Sequence, residues 1–205
     1  RGVHAVSLRT EVVGDGELTA KQRSKLLADM TEEVAQLVLR DNQFQTQSLS
    51  LTRARGGALL DAQTRYIRAL EQAGKLNRAL EFLPSEQELR TRKLAAGGPG
   101  AGLTAPELAV LLAYSKIVLC EELVASELPD DPYVATALER YFPLPLRERY
   151  RATMQQHPLK REIIATHVTN SMVNRVGSVF VHRMQEETGA RPAEIVRAYL
   201  LAREV

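Results

Sequence analysis

Apolar residues recur every three or four positions along most of this chain, and nowhere do they alternate with polar ones over the length of a strand. Leu18, Leu26, Leu27, Met30, Val34, Leu37 and Val38 set the pattern. A helix gathers such residues on one face because a turn takes 3.6 residues, whereas a half-buried strand needs a period of two. The only β-like run, Val179 to Val181, sits inside a longer helical pattern. The expected fold is therefore all-α: an irregular multi-helix bundle of about nine or ten helices with no significant sheet.

Start and stop signals divide the pattern. Thr19-Ala-Lys-Gln22, Ser85-Glu-Gln-Glu88 and Thr104-Ala-Pro-Glu107 each spell a capping box, in which a hydroxyl oxygen and a Glu or Gln side chain satisfy free N–H groups at a helix start. Asp131 before Pro132 is an N-cap followed by proline at the first helical position. Stops fall at Gly74, Pro84, 97–102, Pro129, Pro143, Pro158 and Gly189. Together these predict helices over 19–29, 31–54, 58–73, 76–82, 85–96, 104–126, 132–142, 145–156, 158–187 and 192–204. Helix 104–126 is apolar on most sides, through Leu108, Leu111, Leu112, Val118, Leu119 and Leu123, as a central buried helix is. No internal repeat of solenoid period is present.

The glycine-rich stretch GGPGAGLT, residues 97–104, divides the chain into an N-terminal helical part (1–96), a link (97–103) and a C-terminal helical part (104–205). It equally suits a short connection inside one continuous domain. Its spacing touches two phosphate motifs. Gly97, Gly102 and Thr104 fit G-x-x-x-x-G-K-[ST], but Leu103 replaces the lysine; GAGLTA, residues 100–105, fits a variant of G-x-G-x-x-G. Both motifs require a strand before the loop, and the preceding SEQELRTRKLAA is a polar helical pattern. The stretch reads as a connection, with Thr104 as the N-cap of the next helix.

Composition narrows the classes further. At 205 residues, 44% hydrophobic and 25% charged, the chain is long enough to bury a core. A net charge of +2, 5% aromatic residues and no tryptophan argue against a nucleic-acid partner. One cysteine, Cys120, excludes an internal disulfide and a multi-cysteine zinc site and suits a reducing compartment. No apolar run approaches the roughly 20 residues of a membrane span, and the first residues lack the apolar core of a signal peptide. A start at Arg1 points to a processed product or part of something longer.

Side chains with chemistry are scattered. His4, His157, His167 and His182 share no metal-binding spacing, and no H-E-x-x-H occurs. Cys120 lies deep in an apolar helix, where a thiol acts as a small core residue. The pairs Glu121-Glu122 and Glu186-Glu187 point about 100° apart on a helix and read as solvated faces. Arg53 with Arg55, and Arg90 with Arg92 and Lys93, are small basic clusters among acidic neighbours.

Two stretches stand out. In REIIATHVTNSMVNRVG, residues 161–177, Ile164, Val168, Met172 and Val176 form an apolar stripe beside a polar one of His167, Asn170, Ser171, Asn174 and Arg175. Asparagine is a poor helix former, so packing must retain it there. In VLRDNQFQTQSLSL, residues 38–51, Asp41, Asn42, Gln45 and Gln47 interrupt an apolar helix in the same way. Either these residues bond neighbouring helices of the same domain, or Asp41, Asn42, Gln45, His167, Asn170, Asn174 and Arg175 form a polar face toward another domain.

The blocks DGELTAKQRSKLLADMTEEVAQLVLRDN (15–42), RALEFLPS (78–85), LTAPELAVLLAYSK (103–116), LPDDPY (128–133), RYFP (140–143), REIIAT (161–166), NSMVNRVG (170–177) and RMQEETGA (183–190) run in order along nearly the whole chain. In them the chain resembles the C-terminal part of the large bacterial NAD-specific glutamate dehydrogenases. The resemblance implies a parent enzyme that oxidatively deaminates L-glutamate to 2-oxoglutarate and ammonia while reducing NAD. It places the glutamate- and dinucleotide-binding segments upstream, and makes this chain the helical extension after the dehydrogenase core. The implied role is non-catalytic: packing on the core, subunit assembly or regulation. The implied partner is the upstream catalytic domain of the same polypeptide, in a cytoplasmic homo-oligomer. NAD would belong to the parent; no cofactor, metal or catalytic residue is assigned to this chain. Two departures from the family pattern are visible: HAVSLRTEVV after Gly2-Val3, and Arg191 where a small N-cap is usual. The rival readings are a free-standing helical interaction module, with RNA as its ligand through the basic clusters, and an independent enzyme.

Overall fold

The computed structural model describes residues 19–94, 101–147 and 150–203. Over them the chain forms ten α-helices and two short 3₁₀ turns, with no strand among the described residues. The helices are α1 (Ala20–Ala54), α2 (Leu60–Gln72), α3 (Glu86–Leu94), α4 (Ala105–Val124), α5 (Pro132–Tyr141), α6 (Leu144–Arg147), α7 (Arg151–Gln155), α8 (Lys160–Val176), α9 (Phe180–Thr188) and α10 (Pro192–Ala202). The all-α expectation holds. The departure in residues 1–13, and most of the glycine-rich stretch, lie outside the described residues.

Local chemistry explains where helices begin. Thr19 N–H donates to Gln22 Oε1 at 2.9 Å, and Gln22 N–H returns to Thr19 Oγ1 at 3.3 Å. Ser85 and Glu88 repeat the exchange at 2.6 and 3.3 Å. Thr104 N–H donates to Glu107 Oε2 at 2.7 Å. Asp131 Oδ1 accepts from Tyr133 N–H at 2.9 Å. At Arg191 the side chain offers no acceptor, yet the backbone N–H still reaches Glu194 Oε2 at 2.8 Å, so the acidic half of the box survives the substitution.

Four expected boundaries need correction. Helices 19–29 and 31–54 are a single helix, α1, because neither glycine nor proline interrupts residues 29–31, and Thr31 Oγ1 donates back to the Leu27 carbonyl at 2.8 Å. Residues 76–82 are turns rather than a helix: Asn77 Oδ1 accepts from the N–H groups of Ala79 and Leu80 at 3.1 and 3.2 Å, an Asx turn that competes with helix. Helix 145–156 is two short helices, α6 and α7. Helix 158–187 breaks at Gly177, whose φ of 87° and ψ of 170° only glycine adopts readily.

Helix α4 is the spine. It packs along α8 and against α1, and α5 lies on α8. Leu112, Leu119 and Leu123 of α4 join Met30, Leu138, Phe142, Ile164, Met172 and Val196 in one buried cluster. Leu108 and Leu111, nearer its start, join a second with Leu60, Ile67, Leu70, Leu89 and Val179. Leu49 of α1 packs against both. The connection into α4 passes close to the backbone at residue 56: a Cβ on Gly102 would lie 3.0 Å from the Gly56 carbonyl carbon and oxygen. Arg92 of α3 forks onto Glu107 at 2.7 and 2.9 Å, tying α3 to the start of α4.

Candidate functional site

Apolar spacing orients α8. Ile164, Val168 and Met172 are buried at 1%, 2% and 0% exposure, and this burial aims the neighbouring polar stripe at α1. On α1 the buried Leu37 anchors the facing side, with Asp41 and Phe44 one and two turns farther along. Between them, with α5, α6 and the end of α10, lies a cavity of about 550 Å³. Asp41, His167, Asn170, Asn174 and Arg175 all line it. The structure thus brings together five of the seven residues singled out as a polar face, from two stretches more than a hundred positions apart.

Asn42 and Gln45 do not line the cavity. Asn42 is exposed, and its carbonyl accepts from Thr46 Oγ1 at 3.0 Å. Gln45 Oε1 instead accepts from Lys116 Nζ at 2.9 Å. Burial pushes the Lys116 ammonium below its ordinary value, with Asp41 opposing that shift.

Arginine dominates the lining. Arg40, Arg140, Arg147 and Arg203 join Arg175 around the space, against the carboxylates of Glu33 and Asp41. Both Glu33 oxygens are engaged, Oε2 accepting from Leu144 N–H at 2.8 Å and Oε1 lying 3.9 Å from Arg147. Arg147 Nε also donates to the Phe142 carbonyl at 2.7 Å. Arg175 Nη1 donates to the Ser171 carbonyl at 2.6 Å and to Ser171 Oγ at 2.7 Å, with its guanidinium 5.5 Å from the Phe44 ring centre. Arg203 Nη1 donates to the same Ser171 Oγ at 3.3 Å. Two cations therefore converge on one neutral oxygen. Beside them Asn174 is 9% exposed, and its Oδ1 has no hydrogen-bond partner. The His167 ring stands edge-on to Tyr141, centroids 6.3 Å apart.

The arginines other than Arg175 escaped sequence reasoning. Arg40 was within reach of it, since it flanks Leu37 and Asp41 on α1. Arg140, Arg147 and Arg203 come from three other elements, and only the tertiary fold unites them.

Elsewhere the chemistry-bearing residues have structural partners. His157 is buried and its Nδ1 accepts from Leu159 N–H at 3.0 Å. His182 stacks on Tyr66 at 5.0 Å, and burial lowers its pKa. Cys120 is half-buried, its Sγ 3.6 Å from Thr166 Oγ1. Glu121 meets Lys75 at 2.7 Å and Glu186 meets Arg65 at 2.9 Å, so these carboxylates are ion-paired rather than merely solvated. In the second basic cluster Arg92 is taken by Glu107 and Lys93 by Asp61 at 2.8 Å, which leaves less free charge for a phosphate backbone. No group of three or more His, Cys, Asp or Glu fit to hold a metal occurs among the described residues. No helix among them is long and apolar enough to cross a membrane.

The family model described as "Glutamate dehydrogenase, C-terminal" matches residues 100–205. The chain belongs to the NAD-specific glutamate dehydrogenase family. NAD-specific glutamate dehydrogenase of Halomonas elongata is 48% identical over 204 residues, those of Pseudomonas aeruginosa and Mycobacterium tuberculosis 45% and 41% over 205 and 200. Each match covers 96–98% of this chain but only 12% of the relative. A second model, "Bacterial NAD-glutamate dehydrogenase, catalytic domain", matches residues 3–52. The first part of the chain, read above as lying wholly beyond the dehydrogenase core, thus falls within a catalytic-domain match. That match includes residues 4–13, expected above to depart from the family pattern, and most of α1. The cavity in this glutamate dehydrogenase segment has one wall, α1, from the catalytic-domain match and the others from the C-terminal match.

Proposed function

We propose that this chain is a non-catalytic helical segment of an NAD-dependent glutamate dehydrogenase, joining the catalytic part to the C-terminal end and serving assembly or regulation. The parent reaction would be oxidative deamination of L-glutamate to 2-oxoglutarate and ammonia with reduction of NAD, in a cytoplasmic homo-oligomer. The carrying observation is α1. It holds 35 residues, a length of about 52 Å at 1.5 Å per residue. It falls largely in the catalytic-domain match and packs lengthwise on α4 and α8. It also leaves Val38, Leu39 and Leu51 46–61% exposed, apolar surface suited to an upstream catalytic domain of the same polypeptide. A division at 97–103 into two helical parts is a further part of this reading, with α4 bridging them.

The described residues do not fit an NAD cradle, which needs a strand, a glycine turn and a helix in sequence. No step of the reaction is routed through them. The His167, Asn170, Asn174 and Arg175 face instead supports a contact between α1 and the C-terminal helices. Arg175→Glu in the full-length enzyme is expected to lower glutamate-dependent NAD reduction more than it lowers the melting temperature. Wild-type activity in that variant would sink the reading.

A further inference from the structure

We propose that the cavity between α1, α5, α8 and α10 is a binding site for a small multivalent oxyanion. The inference goes beyond the assembly role, since it concerns an occupant of the space rather than the contact of its walls.

Two observations carry it. First, five arginines face two carboxylates. Glu33 is already engaged by Leu144 N–H and Arg147, and Lys116 acts on Asp41. Positive charge is left over around this space. Second, Arg175 and Arg203 both donate to Ser171 Oγ. Among the described residues neither guanidinium meets a carboxylate. Like charges gathered on a neutral oxygen repel one another, and an anion between them removes that cost. Guanidinium groups present paired N–H donors that fit two oxygens of a phosphate or carboxylate group. The volume of about 550 Å³ lies in the range of small-molecule pockets rather than of a flat protein contact.

The occupant is thus an oxyanion carrying at least two charges, whether on phosphoryl or on carboxylate groups. Held there, it would bridge Arg40 on α1 to Arg175 and Arg203 on α8 and beyond α10, and so fasten the catalytic-domain wall to the C-terminal wall.

The test is isothermal titration of the full-length enzyme with two probes, inorganic pyrophosphate and tricarballylate, at low ionic strength. Binding of either one is expected. The stronger of the two identifies the occupant's groups as phosphoryl or carboxylate. Arg40→Gln and Arg203→Gln should each weaken that binding about tenfold, the value of one charge-assisted contact. Arg53→Gln, exposed on α1 outside the cavity, should leave it unchanged. The proposal is overturned by no binding of either probe, including the case in which an acidic segment of the same polypeptide fills the space. Binding that survives both cavity variants, or that Arg53→Gln weakens equally, overturns it too.

Discussion

Gly177 shows how one residue sets the direction of a chain. Its φ of 87° ends α8 and turns the backbone into α9, and a Cβ there would meet only Thr52 Oγ1 at 3.9 Å. Space is available; conformation is the restriction. Gly177→Ala is therefore expected to cost about 1–2 kcal/mol through backbone strain, read as a lower urea midpoint with an unchanged slope. Asn174 poses the opposite case. Its Oδ1 has no partner within the protein, so Asn174→Leu should be neutral or stabilising by up to about 1 kcal/mol in thermal melts. A clear loss of stability would mean that the amide is already satisfied by the fold. Both residues were visible in the sequence in different degrees. The asparagine announced itself by interrupting an apolar helix, whereas the V-G-S-V-F context of the glycine kept the helical period on both sides and hid the break.

At the scale of elements, local chemistry was legible and tertiary convergence was not. The three capping boxes appear where the sequence places them because each is complete within four residues. The turn at 76–82 was misread as helix because its hydrophobic spacing is helical, while Asn77 and the approach to Pro84 decide otherwise. That turn is held by Arg78, which donates to Glu71, to Glu86 and to the Pro84 carbonyl. Glu86 also pairs with Arg68. Arg68, aided by Arg78 and opposed by burial, holds the Glu86 carboxyl down from 4.5 to about 2. A carboxyl depressed on folding lends stability that is complete above its unfolded value of 4.5 and is lost as pH falls toward about 2. Because the Glu86 side chain is 37% exposed, solvent screening keeps the contribution small. Glu86→Gln should thus lower the neutral plateau slightly, flatten the acid limb of a stability–pH curve between those values and leave stability near the lower value unchanged. An acid limb identical to wild type would show that the pair adds nothing.

Across the whole molecule, α1 is the element whose loss reaches farthest. Met30 and Leu37 are its buried apolar side chains, and the helix packs against α4, α6 and α8. A chain beginning at residue 55 is expected to melt earlier and to bind a hydrophobic dye. A Tm equal to that of the longer chain would make α1 a peripheral arm. Leu37→Ala, which removes one anchor and leaves the helix in place, should cost about 2–4 kcal/mol by denaturant titration. The global fold class was readable because helical periodicity pervades the chain. The cavity was only half readable, since Arg140, Arg147 and Arg203 reach it from elements with no shared spacing.

One consequence of the shared cavity concerns descent. Its α1 wall lies in the stretch matched by the catalytic-domain model, and its other walls lie in the stretch matched by the C-terminal one. A recombination event between residues 54 and 101 would set the charges of one lineage's helix against the arginines of another's. Hybrids of that kind carry mismatched halves of a single lock. The acids and arginine at 33, 40 and 41 are therefore expected to change in step with 140, 147, 175 and 203, and the two stretches to be inherited as a pair.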